Sequence, residues 1–299
     1  MVRLCRLDAV TKGMMMKLRQ FFAFLSLGAL LILSGCKMAI LDPKGIVAAS
    51  EKQLFLDAVF LMLLIVVPVI VMTLIFAWRY RARNQTAAYT PDWSHSTLLE
   101  IIWWSIPCII IAILALMTWV STHKLDPYRP LGVKGKPIRI QAIALDWRWL
   151  FIYPDQHIAS INFVQIPINV PVRFYITADA PMNSLEIPQL AGQIYAMTGM
   201  RTKLNLMAQQ PGDYYGLSTN FSGDGFSGMH FTVRASSEHD FNAWVNQLNH
   251  SANKLTMRVY TKLAKPSTNT HVEYFADPAK NLFNYVIMKY MGPMHMSHS

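Results

Sequence analysis

Two stretches of this 299-residue chain, residues 58–77 and 101–120, contain no Asp, Glu, Lys or Arg. About 20 uncharged apolar residues are enough to carry a helix across a hydrocarbon core. Any fold must therefore place both in lipid or bury them completely. The composition favours lipid: 53% of residues are hydrophobic and only 15% charged. Pro68 and Pro107 fall inside the two runs, a placement that membrane helices tolerate when neighbours satisfy the freed carbonyls. Trp78, Trp103, Trp104 and Trp119 lie near their ends, where interfacial anchors belong.

The segment between the runs, WRYRARNQTAAYTPDWSHS, sets three arginines against one aspartate. Arg79, Arg81 and Arg83 are the only local basic cluster, and beside an apolar run they mark a cytoplasmic loop. The net charge of +10 is otherwise scattered and does not read as a nucleic-acid surface. A shorter apolar run at 21–33 follows Lys17 and Arg19 and ends in LSGC at 33–36. It has the length of a signal h-region, and the ending is similar to a bacterial lipoprotein signal, with Cys36 becoming a lipidated N-terminus. The alternative is an uncleaved anchor. Translation is expected to start at Met14, Met15 or Met16. Both arguments then agree on topology: a hairpin with its two ends outside and everything after His123 in the periplasm.

From Pro137 the pattern changes to period-two runs: IRIQAIALDWRWLFIY, VRFYITA, LNLMA and FTVRA. Turn signals such as Pro154-Asp155, Pro171, Pro211-Gly212-Asp213 and Gly223-Asp224-Gly225 separate them. Short strands at this spacing read as an antiparallel sandwich or barrel. Two amphipathic helices are expected after it. SSEHDFNAWVNQLNH carries Ser237 and Asp240 as a capping-box variant ahead of Phe241, Trp244, Val245 and Leu248. DPAKNLFNYVIMKY places Leu282, Phe283, Val286, Ile287 and Tyr290 on one face that packs against protein. The expected organisation is a signal at 1–35, a two-helix membrane hairpin at 36–122, an all-β sandwich at 123–235, and a C-terminal helical region with a tail at 236–299.

Particular motifs sharpen this plan. LEIIWWSIP at 99–107, LDWRWLFIYP at 145–154, MNSLEIPQLAGQIYAMTGM at 182–200 and FSGDGFSGMHF at 221–231 together resemble subunit II of the haem-copper respiratory oxidases, on the branch that oxidises ubiquinol. The resemblance runs from the lipoprotein signal to about Met291. It implies a cupredoxin-like sandwich, a place in the bacterial inner membrane, and a partner subunit I that holds the haems, the copper and the quinol site.

In the cytochrome c oxidase branch of that family, the sandwich carries a dinuclear copper held by an early histidine, two cysteines, a second histidine and a methionine. Bridging thiolates suit that role because soft sulfur favours copper. The resemblance lays those positions on Asn183, Phe221, Gly225, Met229 and Thr232, none of which keeps its ligand. After residue 121 there is no cysteine at all. His230 falls one place past the second histidine position and, in an extended segment, faces the other way. A different copper site built from His230 with Met229, Met182 or Met200 has only a single histidine among methionines. No metal and no cofactor is therefore expected in this chain.

Trp147, Trp149, Phe151 and Tyr153 alternate and are expected on one face of a single strand. In copper-bearing relatives tryptophan here lies on the electron route; without an acceptor, packing is the expected role of Trp147 and Trp149. Glu100, at the cytoplasmic end of the second helix, stands where relatives place a glutamate near a proton-uptake channel of subunit I. Its other reading is an acid that interacts favourably with the helix dipole. The MHMSHS tail is assigned no function.

No histidine lies within either apolar run, so haem ligation at membrane depth has no residue here. The expected function is that of a non-catalytic oxidase subunit, giving assembly, stability and a proton-uptake carboxylate. Two other readings stay open: an electron-carrying subunit II of a cytochrome c oxidase, opposed by the missing cysteines, and a free membrane lipoprotein that carries copper.

Overall fold

The computed structural model describes residues 38–291 except 89, 91, 93, 134 and 269. Cys36, the expected signal segment and the MHMSHS tail lie outside the described residues. The chain divides after Asp42, and of the first part only a 3-10 turn, Ala39–Leu41, falls within the described residues.

Helices α1 (Ile46–Arg79) and α2 (Thr97–Lys124) contain the two apolar runs and extend past them. At 1.5 Å per residue α1 is about 51 Å long, well beyond a hydrocarbon core of about 30 Å. Its extra length is the stretch 46–57, which carries Glu51, Lys52 and Asp57. Apolar side chains along both helices are exposed, among them Phe60, Leu74, Trp104 and Leu116. Such a surface is stable only in lipid or against other membrane helices.

Among the described residues eleven strands follow: β1 (Ile138–Leu145), β2 (Arg148–Tyr153), β3 (Ile158–Ile161), β4 (Phe163–Pro167), β5 (Val172–Ala178), β6 (Asn183–Ile187), β7 (Ala191–Ala196), β8 (Thr202–Leu206), β9 (Gly212–Ser218), β10 (His230–Ser236) and β11 (Glu273–Ala276). They form a six-stranded sheet, β11-β3-β2-β1-β5-β8, and a five-stranded sheet, β4-β10-β9-β6-β7. The sandwich is mixed where an antiparallel one was expected, because β1 runs parallel to β5 and β4 parallel to β10. Both pairings join segments far apart in sequence, as the long crossover between parallel strands requires.

Between the sheets lie Ile140, Trp149, Phe151, Phe174, Leu185, Phe231 and Val233, each at most 1% exposed. Strand β2 is buried on both faces. Trp149, Phe151 and Tyr153 point into this core, while Leu150 and Ile152 point out to a second apolar cluster. The second cluster is roofed by α4 (Met257–Leu263) and α5 (Leu282–Lys289), through Tyr260, Leu263, Leu282, Phe283 and Val286. Helix α3 (Glu238–Asn249) opens with Ser237 Oγ accepting from the Asp240 backbone N–H, and it buries Phe241, Val245 and Leu248.

The C-terminal region holds the two expected helices and adds two elements to them. Strand β11 extends the larger sheet beside β3, and α4 was not foreseen. Helix α5 starts at Leu282 instead of Asp277, because Asp277 and Asn281 adopt left-handed backbone angles of 47° and 58°.

Helix α1 begins directly on the sandwich. The Lys44 and Gly45 backbone N–H groups donate to the Gln189 carbonyl at 2.7 and 3.0 Å, Ala48 donates to Leu190, and Gln209 donates to the Lys44 carbonyl. Glycine is required at residue 45, where a Cβ would meet the Leu190 oxygen at 2.6 Å.

Candidate functional site

The five positions that the sequence resemblance lays on copper ligands lie on β6, the loop 219–229 and the start of β10. Asn183 opens β6 fully buried, and its side-chain oxygen accepts a hydrogen bond from Ser218 Oγ at the end of β9. Beside it Ser184 Oγ meets Thr219 Oγ1 at 2.5 Å, and Asn220 Nδ2 donates to the Met182 carbonyl at 2.8 Å. Short hydroxyl and amide side chains thus fill the inner end with hydrogen bonds among themselves.

The remaining positions separate. Phe221 is 77% exposed, with its ring edge-on to Phe226. Gly225 is buried, and a Cβ there would lie 2.4 Å from Trp147 Cδ2. Met229 is buried and its carbonyl accepts from the Ser218 N–H at 3.1 Å, which ties it to the Asn183 pair. Thr232 shares the outer face of β10 with His230, opposite Phe231 and Val233, whose side chains enter the core. His230 is exposed and stacks on Tyr215 with ring centres 5.7 Å apart. Met229 and His230 therefore point to opposite faces, and Met182 and Met200 are 44% and 53% exposed. Among the described residues no group of three or more His, Cys, Asp or Glu side chains is placed to hold a metal. A dinuclear copper needs two bridging thiolates, and here a phenyl ring stands at one of their positions and a glycine under an indole at the other. The residues present do not fit the group.

Trp147 corrects a sequence expectation. It is not part of a strand shared with Trp149, Phe151 and Tyr153 but sits in the β1–β2 turn with φ at 65°. Its ring still packs against the inter-sheet core, and its Nε1 donates to the Ser222 carbonyl at 3.3 Å. The β1–β2 turn thereby holds down the loop 219–229. Trp149 is completely buried against Phe151 and Phe231.

A second cluster nearby was not foreseen. Asp179, at the end of β5, has a side chain with no exposed surface. It accepts from Tyr260 Oη of α4, and from Lys289 Nζ and Tyr290 Oη at the end of α5, the last two at 2.7 Å. Burial, reinforced by the Asp179 carboxylate, pushes the Tyr260 phenol up, and Asp179 raises the Lys289 ammonium. Asp146 in the β1–β2 turn is held above the usual carboxylate range, first by burial and then by Asp179. The partners of Asp179 lie 81 to 111 residues away in sequence. The only local signal was the Lys-Tyr pair that ends α5.

Glu100 lies in the first turn of α2, exposed, with its backbone N–H bonded to the Ser96 carbonyl at 3.0 Å.

A hairpin of membrane-length helices carrying a two-sheet sandwich with a C-terminal cap defines the class as a membrane protein with a folded domain outside the bilayer. Three family descriptions match in succession: the cytochrome c oxidase subunit II transmembrane domain over residues 44–120, the periplasmic domain of the same subunit over 156–236, and the COX aromatic rich motif over 250–294. The cytochrome bo(3) ubiquinol oxidase subunit 2 of Pseudomonas putida is 51% identical over 273 residues, covering 91% of this chain and 87% of that protein. Its counterpart in Pseudomonas aeruginosa is 50% identical over 282 residues, covering 92% and 85%. Ubiquinol oxidase subunit 2 of Acetobacter aceti is 47% identical over 275 residues, covering 91% and 89%. The chain belongs to the quinol oxidase subunit II family and is a membrane-bound subunit of a haem-copper terminal oxidase.

Proposed function

We propose that this chain serves a proton-pumping ubiquinol oxidase without holding any redox centre of its own. Subunit I carries the haems, the copper and the quinol site, and ubiquinol reaches that subunit from the bilayer. The observation that carries this reading is the refilling of the copper end: the Asn183–Ser218 hydrogen bond, the Gly225–Trp147 contact and the inward Met229 leave no thiolate and no paired histidine. An electron-carrying subunit needs an acceptor at that end, and this donor set offers none.

On this reading the chain sits in the bacterial inner membrane with the arginine-bearing loop inside and the sandwich in the periplasm. Cys36, once lipidated, adds a third hold on the bilayer. The hydrogen bonds from Lys44, Gly45 and Ala48 to the sandwich fix its orientation on α1, so the domain is presented to the partner as one body with the hairpin. Glu100, exposed at the inner end of α2, gathers protons for the channel mouth of subunit I.

The test is to tag the chain, purify it gently from membranes, and assay the eluate for haem, copper and oxygen uptake. Haem with activity on ubiquinol and none on reduced cytochrome c is the expected result. A haem-free eluate carrying copper overturns the reading in favour of a copper carrier. Copper bound to this chain together with activity on cytochrome c overturns it in favour of an electron-carrying subunit.

A further inference from the structure

At the outer end of the hairpin, the first turns of α1, the end of α2, the linker after it and the β7–β8 edge enclose a cavity of about 350 Å3. A groove of about 630 Å3 runs down from it between α1 and α2, lined by Leu54, Leu116, Met117 and Val120, and on the α1 side by Asp57, which accepts from Gln53 Nε2 at 2.9 Å. Ser50, Lys124 and Leu125 line both, so the two spaces adjoin. Glu51 lies seven residues above the apolar run of α1, about 10 Å along the axis, which is headgroup depth.

The cavity is walled by two carboxylates, Glu51 and Asp126, and two cations, Lys124 and Arg129. Among the described residues none of the four forms an ion pair. Glu51 is only partly exposed, and it accepts a hydrogen bond from the Gly192 backbone. Residue 192 lacks a side chain where a Cβ would come within 2.5 Å of the Glu51 carboxylate. Arg129 is fixed over the end of α2 by donating to the His123 carbonyl at 3.3 Å. Lysines near helix ends commonly reach the interface and bind nothing in particular. Here, however, a half-buried carboxylate faces the same cavity as two cations, none of them ion-paired among the described residues, above a groove with a mainly apolar lining. The second carboxylate, Asp126, accepts from the Tyr128 N–H at 2.9 Å. A half-buried carboxylate is stabilised by a cation that also donates hydrogen bonds.

We infer that this cavity and groove bind a phospholipid with a primary ammonium headgroup, phosphatidylethanolamine in chemical class. The ammonium donates to Glu51, the phosphate lies between Lys124 and Arg129, and an acyl chain follows the groove between α1 and α2. A choline headgroup has no N–H to donate, and a glycerol headgroup brings no cation to Glu51. The inference holds whichever electron donor the complex uses.

The test uses the intact complex in mild detergent, offered phosphatidylethanolamine, phosphatidylcholine and phosphatidylglycerol of identical acyl chains and read by native mass spectrometry. The expected result is retention of the ethanolamine lipid several-fold over the other two. Glu51→Gln removes that preference while phospholipid still binds. Ser50→Trp, which fills the space and leaves every charge in place, removes the bound lipid. Equal retention of all three headgroups, or an ethanolamine preference unchanged in both variants, overturns the inference. So does a photo-cross-linker at residue 50 that captures a partner polypeptide in place of lipid, since the cavity is then a subunit interface.

Discussion

Gly225 lies directly beneath the indole of Trp147, so close that a Cβ at Gly225 would come within 2.4 Å of the ring carbon Cδ2. Trp147 reaches that position because the β1–β2 turn holds it at a positive φ and Ser222 accepts its N–H. The contact makes the loop 219–229 and the β1–β2 turn one packed unit at the end of the sandwich.

Adding a methyl group at Gly225 overpacks this contact. Gly225→Ala is expected to destabilise the domain by about 1–3 kcal/mol. Shortening the ring in the same chain, Trp147→Leu with Gly225→Ala, is expected to cost less than the two single changes added together. Thermal unfolding of the four proteins as a double-mutant cycle checks this, and strict additivity would refute the contact.

Trp149 separates two contributions that a single substitution confounds. It is completely buried, and its Nε1 has no hydrogen-bond partner among the described residues. Trp149→Ala is expected to cost about 3–5 kcal/mol through the cavity it leaves. Trp149→Phe gives up part of the ring but also removes an unpaired buried donor, a penalty of about 1–3 kcal/mol, and should cost clearly less. Equal losses in chemical denaturation would mean that the indole N–H has a partner after all.

Asp179 fastens the C-terminal cap. Its side chain is wholly buried and takes donors from Tyr260, Lys289 and Tyr290. Asp179→Ala is expected to cost about 1–3 kcal/mol, because the buried Tyr260 hydroxyl is left without its acceptor. It should also raise hydrogen exchange across α4 and α5 before the sheets open. Lys289→Met leaves the wholly buried Asp179 carboxylate without its cation and should cost about 3–5 kcal/mol. Exchange that rises uniformly over the sandwich would show that Asp179 supports the core as a whole and not the cap.

Acid stability depends on two surface pairs. The Arg139 and Arg234 guanidinium groups, hydrogen-bonded to Asp155 and Asp213, hold those carboxyls below the usual range. A carboxylate with a depressed folded pKa contributes its full stabilisation above its unfolded value, about 3.9. It loses that contribution as pH falls through the lower folded value. Asp213→Asn should therefore lower the melting temperature slightly at neutral pH and flatten its fall below about pH 4. An unchanged acid limb would mean that the pair is open in solution.

What the sequence disclosed, and what it hid, follows from the range of the forces involved. The hairpin could be read because twenty uncharged residues have few other fates. Helix α3 could be read because Ser237, Phe241, Val245 and Leu248 carry its cap and its stripe locally. The parallel β1–β5 and β4–β10 pairings could not, since no local pattern states which distant strand a strand will join. Alternation continued smoothly through Asp146 and Trp147 and concealed a turn, because tryptophan is a rare occupant of the left-handed region. The residues at the copper positions implied by the resemblance were legible as identities. The reasons for Gly225 and for Asp179 were not, for each answers to a side chain far away in sequence.

Glu100 offers the most direct test of a role in proton uptake. It is exposed in the first turn of α2, where a dipole interaction alone would give it a purely structural effect. Glu100→Gln keeps the shape and removes the charge. If the carboxylate feeds protons to the partner, oxygen uptake by the purified complex should fall several-fold, and most steeply toward alkaline pH where protons are scarce. Haem content and thermal stability should stay near those of the parent. If the carboxylate only interacts with the dipole, stability should drop by about 0.3–1 kcal/mol while turnover and its pH profile stay the same. The two outcomes move different readouts, so one variant distinguishes a proton-collecting residue from a structural one.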